Sequence, residues 1–298
     1  MYQRILVPLD GSELAQVTLS YVEELARTTG CEVVLLRVAE PEENCGDRTH
    51  RDYLEGVAEA MLRRQGDKGI VHCEVVRGRP AEEIVRYAEE NDIDLIAMST
   101  HGRSGVLRWV MGSVATKVLG ASSSPVLLVR AKALQQVTPQ GWLGSSILVP
   151  LDGSAVAEWV IPHVGYLARE WGAETILLRI CEPPTIPSDR PAAIEPSWEA
   201  YRDQLIGRCR SQATQYLNTI EKAFEDRGLK ARSEVIMGKV AEEIIAYTNR
   251  GGIDLIAITT HGRSGVSRWL YGSVASKILS AASIPILLIN ARVWGIKG

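Results

Sequence analysis

Short apolar segments recur along the chain, separated by amphipathic ones. Residues 4–9, 33–38, 93–98 and 125–129 are largely apolar on successive positions rather than on alternate ones. A strand covered on both faces reads this way. Residues 71–76 supply a further strand between the second and the fourth of these. Leu14, Val17, Tyr21, Val22 and Leu25 recur with a helical period, and Gly30 ends that helix. Residues 53–65 are predicted helical. Pro80 suits a helix's first turn, with Glu82 and Glu83 at its positive end. Ser113 opens the helix before the fifth strand. Strand and helix alternate throughout, which predicts an α/β fold with a parallel sheet and helices on both faces.

The whole pattern occurs twice. Residues 93–129 and 253–289 agree at 25 of 37 positions. The opening segment also returns: RILVPLDGS at 4–12 reappears as SILVPLDGS at 146–154. A repeat of this length defines the architecture before any single motif does. The offset is 142 from Pro8 to Pro150 and 160 from Gly78 to Gly238, so the second copy carries 18 more residues between its second and third strands. Five prolines between 182 and 197 predict an extended surface loop there, followed by a long helix over 198–227. Pro162 lies within the first predicted helix of the second copy and is expected to kink it. The chain divides into a module at 1–131, a linker at 132–144 that carries Pro139, Gly141 and Gly144, and a module at 145–298.

Composition narrows the class. A chain of 298 residues, 46% hydrophobic and 23% charged, has the balance of a globular protein of about two domains. A net charge of −3 without a basic run argues against nucleic acid. No apolar stretch approaches the roughly 20 residues of a membrane span, and no signal peptide precedes the first strand, so a cytoplasmic protein is expected. Cys31, Cys45, Cys73, Cys181 and Cys209 form no C-x-x-C and read as reduced thiols.

The candidate chemistry lies after the fourth strand. A strand that ends in a glycine-bearing loop and feeds a helix makes an anion site. Glycine lets a ligand approach the backbone, and the free amides and dipole at a helix start favour phosphate. Gly102, Gly112 and Ser113 have that arrangement, and Gly262, Gly272 and Ser273 repeat it. Tight turns alone would also use glycine, but the duplicated Gly-x9-Gly-Ser favours phosphate. Asp10, Val38 and the 99–113 loop all fall at carboxyl ends of strands, where parallel sheets bind ligands. Asp10 and Asp152 read equally as helix caps. His101 and His261 have no second metal ligand at suitable spacing, so a hydrogen bond within the loop or a phosphate contact is their role rather than zinc. Arg103 and Arg263 are phosphate partners or solvated loop residues. Trp109 and Trp269 read as packing residues.

With these residues in view, the chain resembles a tandem form of the universal stress protein family over nearly its whole length. That family's signature is G-x2-G-x9-G-[S/T]. Ser99 and Thr259 stand here in place of its first glycine. The resemblance implies two Rossmann-like modules, each a five-stranded parallel sheet in the order 3-2-1-4-5. It also implies an adenine nucleotide, ATP first, with Mg2+ as its companion ion, lying across the strand ends. Asp10 and Asp152, with the preceding Pro8, Leu9, Pro150 and Leu151, would face the ribose or adenine side. Val38 and Ile180 would offer main-chain groups to adenine. Ribose and phosphates would be held by Met98, Ser99, Gly102, Gly112, Ser113 and Val114, and in the second copy by Ile258, Thr259, Gly262, Gly272, Ser273 and Val274. The resemblance further implies that the modules pair across their apolar fifth strands as an internal pseudo-dimer, with pairing between chains and an unidentified protein client as further partners. A member of the family without nucleotide is the alternative reading. An ATP-dependent enzyme would need motifs that the chain does not carry.

No G-x4-G-K-[S/T] occurs, and each site offers one aspartate, short of the metal, water-positioning and charge-clamping groups of phosphoryl transfer. Any ATP turnover is therefore expected far below the roughly 10 per second of metabolic enzymes. A steady-state phosphate-release assay checks this, with Asp10→Ala and Asp152→Ala separating true turnover from a contaminant.

Overall fold

A computed structural model describes residues 1–41, 46–65, 69–100, 111–130, 144–183, 198–260 and 272–291. All of the expected linker but Gly144 lies outside them, as do Trp109, Trp269 and the Pro-rich stretch beyond Pro183. The first half runs β1 (Arg4–Pro8), α1 (Glu13–Gln16), α2 (Leu19–Thr29), β2 (Glu32–Ala39), α3 (Asp47–Gln65), β3 (Val71–Arg77), α4 (Pro80–Glu90), β4 (Leu95–Ser99), α5 (Ser113–Ala121) and β5 (Val126–Val129). The second half repeats it as β6 (Ser146–Pro150), α6 (Ala155–Glu158), α7 (Ile161–Trp171), β7 (Glu174–Cys181), α8 (Trp198–Glu225), β8 (Ala231–Met237), α9 (Val240–Asn249), β9 (Leu255–Thr259), α10 (Ser273–Ala281) and β10 (Ile286–Ile289).

These strands form one ten-stranded sheet in the order β3-β2-β1-β4-β5-β10-β9-β6-β7-β8. Each half has the expected order 3-2-1-4-5 and is parallel throughout. The halves meet antiparallel at β5 and β10, with Leu127 opposite Leu287. The expected pseudo-dimer is thus a continuous sheet rather than two sheets in contact. The strands read as unbroken apolar runs because both faces are covered. Ile5, Val33, Leu127 and Leu287 feed one core with α2, α3, α7 and α8. Leu6, Val34, Leu128 and Leu288 feed the other with α4, α5, α9 and α10. Both cores cross the module boundary.

Polar bonds fix the joint. Asn290 donates through Nδ2 to Leu119 O (3.2 Å) and Ser122 O (3.0 Å), carbonyls in and just past the last turn of α5. Arg130, at the matching position after β5, donates to Leu279 O at the end of α10. Each module therefore satisfies carbonyls at the other's helix C-terminus, where donors and cations are favoured.

The first predicted helix is not one helix. It breaks at Val17-Thr18, where Thr18 N–H bonds back to Ala15 O and Tyr21 N–H to Thr18 O, three residues apart rather than four. The second module breaks at Trp159-Val160, ahead of Pro162. Pro162 therefore occupies the first turn of α7 and not a helix interior, so the expected kink is corrected. The missing N–H costs nothing at that position. The first module makes the same joint with Ser20 at the corresponding place, so the proline does not cause the break. Gly30 does end α2, at φ 68, a left-handed cap that suits glycine.

On the α2–α7 face the modules share a buried polar contact. The Tyr2 hydroxyl and His163 Nδ1 share a hydrogen bond of 2.9 Å, and Tyr166 packs edge-on to the Tyr2 ring at 5.4 Å. Burial lowers the His163 pKa to about 4. An unfolded chain protonates this residue near pH 6.5, so the unfolded state takes the proton first as pH falls. The contribution is complete above about pH 6.5 and is lost progressively down to about pH 4, amounting to about 3 kcal/mol. Urea unfolding of wild type and His163→Gln at about pH 7.5 and about pH 4.5 checks this, the variant lacking that component of the decline.

Candidate functional site

A crevice opens in each module where the strand order reverses. β1 pairs with β2 from Arg4 to Pro8 but with β4 only at Ile5 and Leu6. Leu9 N–H continues the β2 side by donating to Leu36 O at 2.8 Å. Amides alternate along a strand, so the absent N–H of Pro8 falls on the β4 side, where pairing has already stopped. The proline marks the parting of β1 and β4 and does not weaken the ladder to β2. β6 behaves identically, pairing with β9 only at Ile147 and Leu148.

The helix start is held at this crevice by the backbone. Gly112 N–H donates to Thr100 O at 2.8 Å, and Gly272 N–H to Thr260 O at 2.8 Å. α5 and α10 therefore begin beside the ends of β4 and β9. Their N-cap residues, Gly112 and Gly272, make no side-chain cap hydrogen bond. First-turn amides have no partner within their own helix, and neither glycine supplies a side chain to cap them. Gly112 has φ −56 and Gly272 φ −61, values open to any residue. A left-handed turn is therefore not what glycine provides here.

Pro8, Leu9, Asp10, Val38, Met98, Ser99, Gly112, Ser113 and Val114 all line one cavity of about 300 Å³. Pro150, Leu151, Asp152, Ile180, Ile258, Thr259, Gly272, Ser273 and Val274 line its counterpart of about 470 Å³. Both lie in the range of small-molecule sites. The remaining expected residues, His101, Gly102, Arg103, His261, Gly262 and Arg263, lie outside the described residues.

Asp10 and Asp152 are not the helix caps. Ser12 accepts from Ala15 N–H at 3.2 Å and is the cap of α1, while Asp10 Oδ1 accepts from both the amide (2.9 Å) and the hydroxyl (2.6 Å) of Ser12. Ser154 and Asp152 repeat this set. Each aspartate orients the capping serine and borders the cavity at the same time.

Arg37 and Arg179 were missed among the wall residues. Each is buried, lines its cavity, and donates to the main chain after the first strand, Arg37 to Leu9 O and Arg179 to Leu151 O. The signal was a charge inside an apolar strand, in VVLLRV and again in TILLRI. A buried guanidinium places positive charge at the floor of the cavity. In the second module that charge meets Tyr216, whose phenol burial and neighbouring Glu158 push up. Among the described residues no cluster of three His, Cys, Asp or Glu could hold a metal, and no helix is long and apolar enough to cross a membrane.

The sequence profile of the universal stress protein family matches residues 1–130 and again 145–290. A universal stress protein of Methanocaldococcus jannaschii is 30% identical over 148 residues, covering 50% of this chain and 83% of the relative. One from Mycobacterium tuberculosis is 22% identical over 222 residues, covering 73% of this chain and 68% of the relative. The solved structure of a universal stress protein from Archaeoglobus fulgidus superposes with a TM-score of 0.70 at 18% identity, over 98% of this chain and 99% of that one, a likeness of fold.

The serine caps give a local test of this geometry. Ser12→Ala or Ser154→Ala removes one cap and leaves an aspartate without its hydroxyl donor. Each should lower stability by about 1 kcal/mol in denaturant unfolding, and the double variant by about twice that.

Proposed function

The chain belongs to the universal stress protein family in both halves, and from that premise we propose that it binds an adenine nucleotide, with one site per module. ATP is the ligand the reading favours. The observation that carries it is the uncapped start of α5, and again of α10, facing a cavity that opens where β1 and β4, or β6 and β9, part. Amides aimed into a crevice with a buried arginine at its floor suit a phosphate chain. The apolar walls, from Val38, Met98 and Ile84 in one module and Ile180, Ile258 and Ile244 in the other, suit a purine.

In this reading the first-turn amides and the hydroxyl of Ser113 or Ser273 hold phosphate oxygens. Ser99 and Thr259 offer hydroxyls to ribose or phosphate. Asp10 and Asp152 face the sugar, and Mg2+ would accompany the phosphates through water rather than through a protein cage. His101, Gly102, Arg103 and their counterparts His261, Gly262 and Arg263 belong to the same phosphate-side segment. The protein then acts as a nucleotide-responsive regulator whose output passes through a surface to a protein client.

Aspartate at position 112 or 272 separates binding from folding. It is a better N-cap than glycine, so the helix start keeps its stability. Its carboxylate occupies and charges the place the phosphate needs. The Gly112→Asp, Gly272→Asp double variant is expected to stay folded by circular dichroism and to lose ATP binding in titration calorimetry. Each single variant should keep about half of the bound nucleotide, one site of the pair. Unchanged stoichiometry in a folded double variant would mean that the family member works without nucleotide.

A further inference from the structure

The two cavities differ in one chemical respect. Cys181, at the end of β7, and Cys209, on α8, both line the second cavity, with their sulfurs 2.7 Å apart. Both are reduced thiols, Cys181 buried and Cys209 partly exposed. Their separation along the chain, 28 residues across the Pro-rich insertion, hid the pair from the sequence. Among the described residues the first module has no such pair. Gly78 N–H bonds to Ala39 O as Gly238 N–H bonds to Cys181 O, so Ala39 stands where Cys181 does. Tyr53 meets Gln16 as Tyr216 meets Glu158, and that register puts Gly46 opposite Cys209.

We propose that Cys181 and Cys209 are a reversible thiol–disulfide site, closed by hydrogen peroxide, on the wall of the second cavity. Strand β7 fixes one sulfur and helix α8 the other, so closure needs less than about 1 Å of approach to a bond of about 2.05 Å. Oxidant reaches the more exposed Cys209 first. Its thiolate attacks one peroxide oxygen, the O–O bond breaks, and the other oxygen leaves as water after taking a proton. The resulting sulfenic acid on Cys209 is attacked by the Cys181 sulfur. The S–O bond breaks, hydroxide takes the remaining thiol proton, and a second water leaves. Two thiols have given two electrons, one peroxide has become two waters, and a dithiol reductant reverses the change. Cys31 and Cys73 are poor competitors, because burial pushes both thiols up and away from the reactive thiolate. Among the described residues no third His, Cys, Asp or Glu completes a metal cluster with the pair.

The bond would tie α8 to the strand that carries Ile180, so the second module alone would register oxidant. The test uses the full-length reduced chain, treated with hydrogen peroxide, quenched in acid, denatured, alkylated and mapped by mass spectrometry. The expected result is the loss of two of the five thiols, recovered as one Cys181–Cys209 peptide and restored by dithiothreitol. Cys209→Ser and, separately, Cys181→Ala, which copies Ala39, should both abolish the cross-link. Five alkylatable thiols after treatment would overturn the proposal, as would a cross-link to another cysteine or between chains. The cross-link is scored without ligand, so a protein that binds no ATP would leave this result standing.

Discussion

Everything else in the molecule rests on the antiparallel pairing of β5 with β10. In each module alone the fifth strand is an exposed edge, four residues long and wholly apolar. Such an edge invites pairing with another chain. Here the chain supplies its own partner, and both faces of the joined sheet become continuous cores. Arg130 and Asn290 then satisfy carbonyls at the opposite module's helix ends, which water would otherwise have to reach. Because the halves run antiparallel across the joint, the strand ends of one point away from those of the other. The two cavities therefore lie at opposite ends of the strands, and each is lined by its own module's residues.

Within a module the site follows from topology. Strand order reverses between β1 and β4, and their pairing stops after two residues while β1 continues against β2. The gap that results is floored by a buried arginine and faced by a helix start without a side-chain cap. The serine that does cap a helix, Ser12, lies at the start of α1 and is held by Asp10. Serine caps one helix start with its side chain, and glycine at the other supplies none.

The copies differ at the joint, where Arg130 stands in one and Asn290 in the other, and again at the periphery. The first-helix break is common to both and independent of Pro162. Thr18 at the first of these breaks is fully buried, so packing of the segment against the sheet sets the bend. Gln16 beside Tyr53 becomes Glu158 beside Tyr216, and among the described residues the thiol pair is in the second half.

Much was legible in the order of residues alone. Doubly covered strands reveal themselves as unbroken apolar runs, and a glycine-bearing loop between a strand and a helix reveals an anion-binding geometry. Both signals are local, and the duplication of the chain reinforced each. Position 10 was legible as special but not as to why, because cap and cap-orienting residue share one sequence pattern until Ser12 is seen accepting from Ala15. The place of the Pro162 break, the burial of Arg37 and Arg179 at the cavity floors, the Tyr2–His163 bond and the Cys181–Cys209 pair were decided by tertiary structure. The last three depend on which residues, 28 to 161 positions apart, the sheet brings within contact, and no local period encodes that distance.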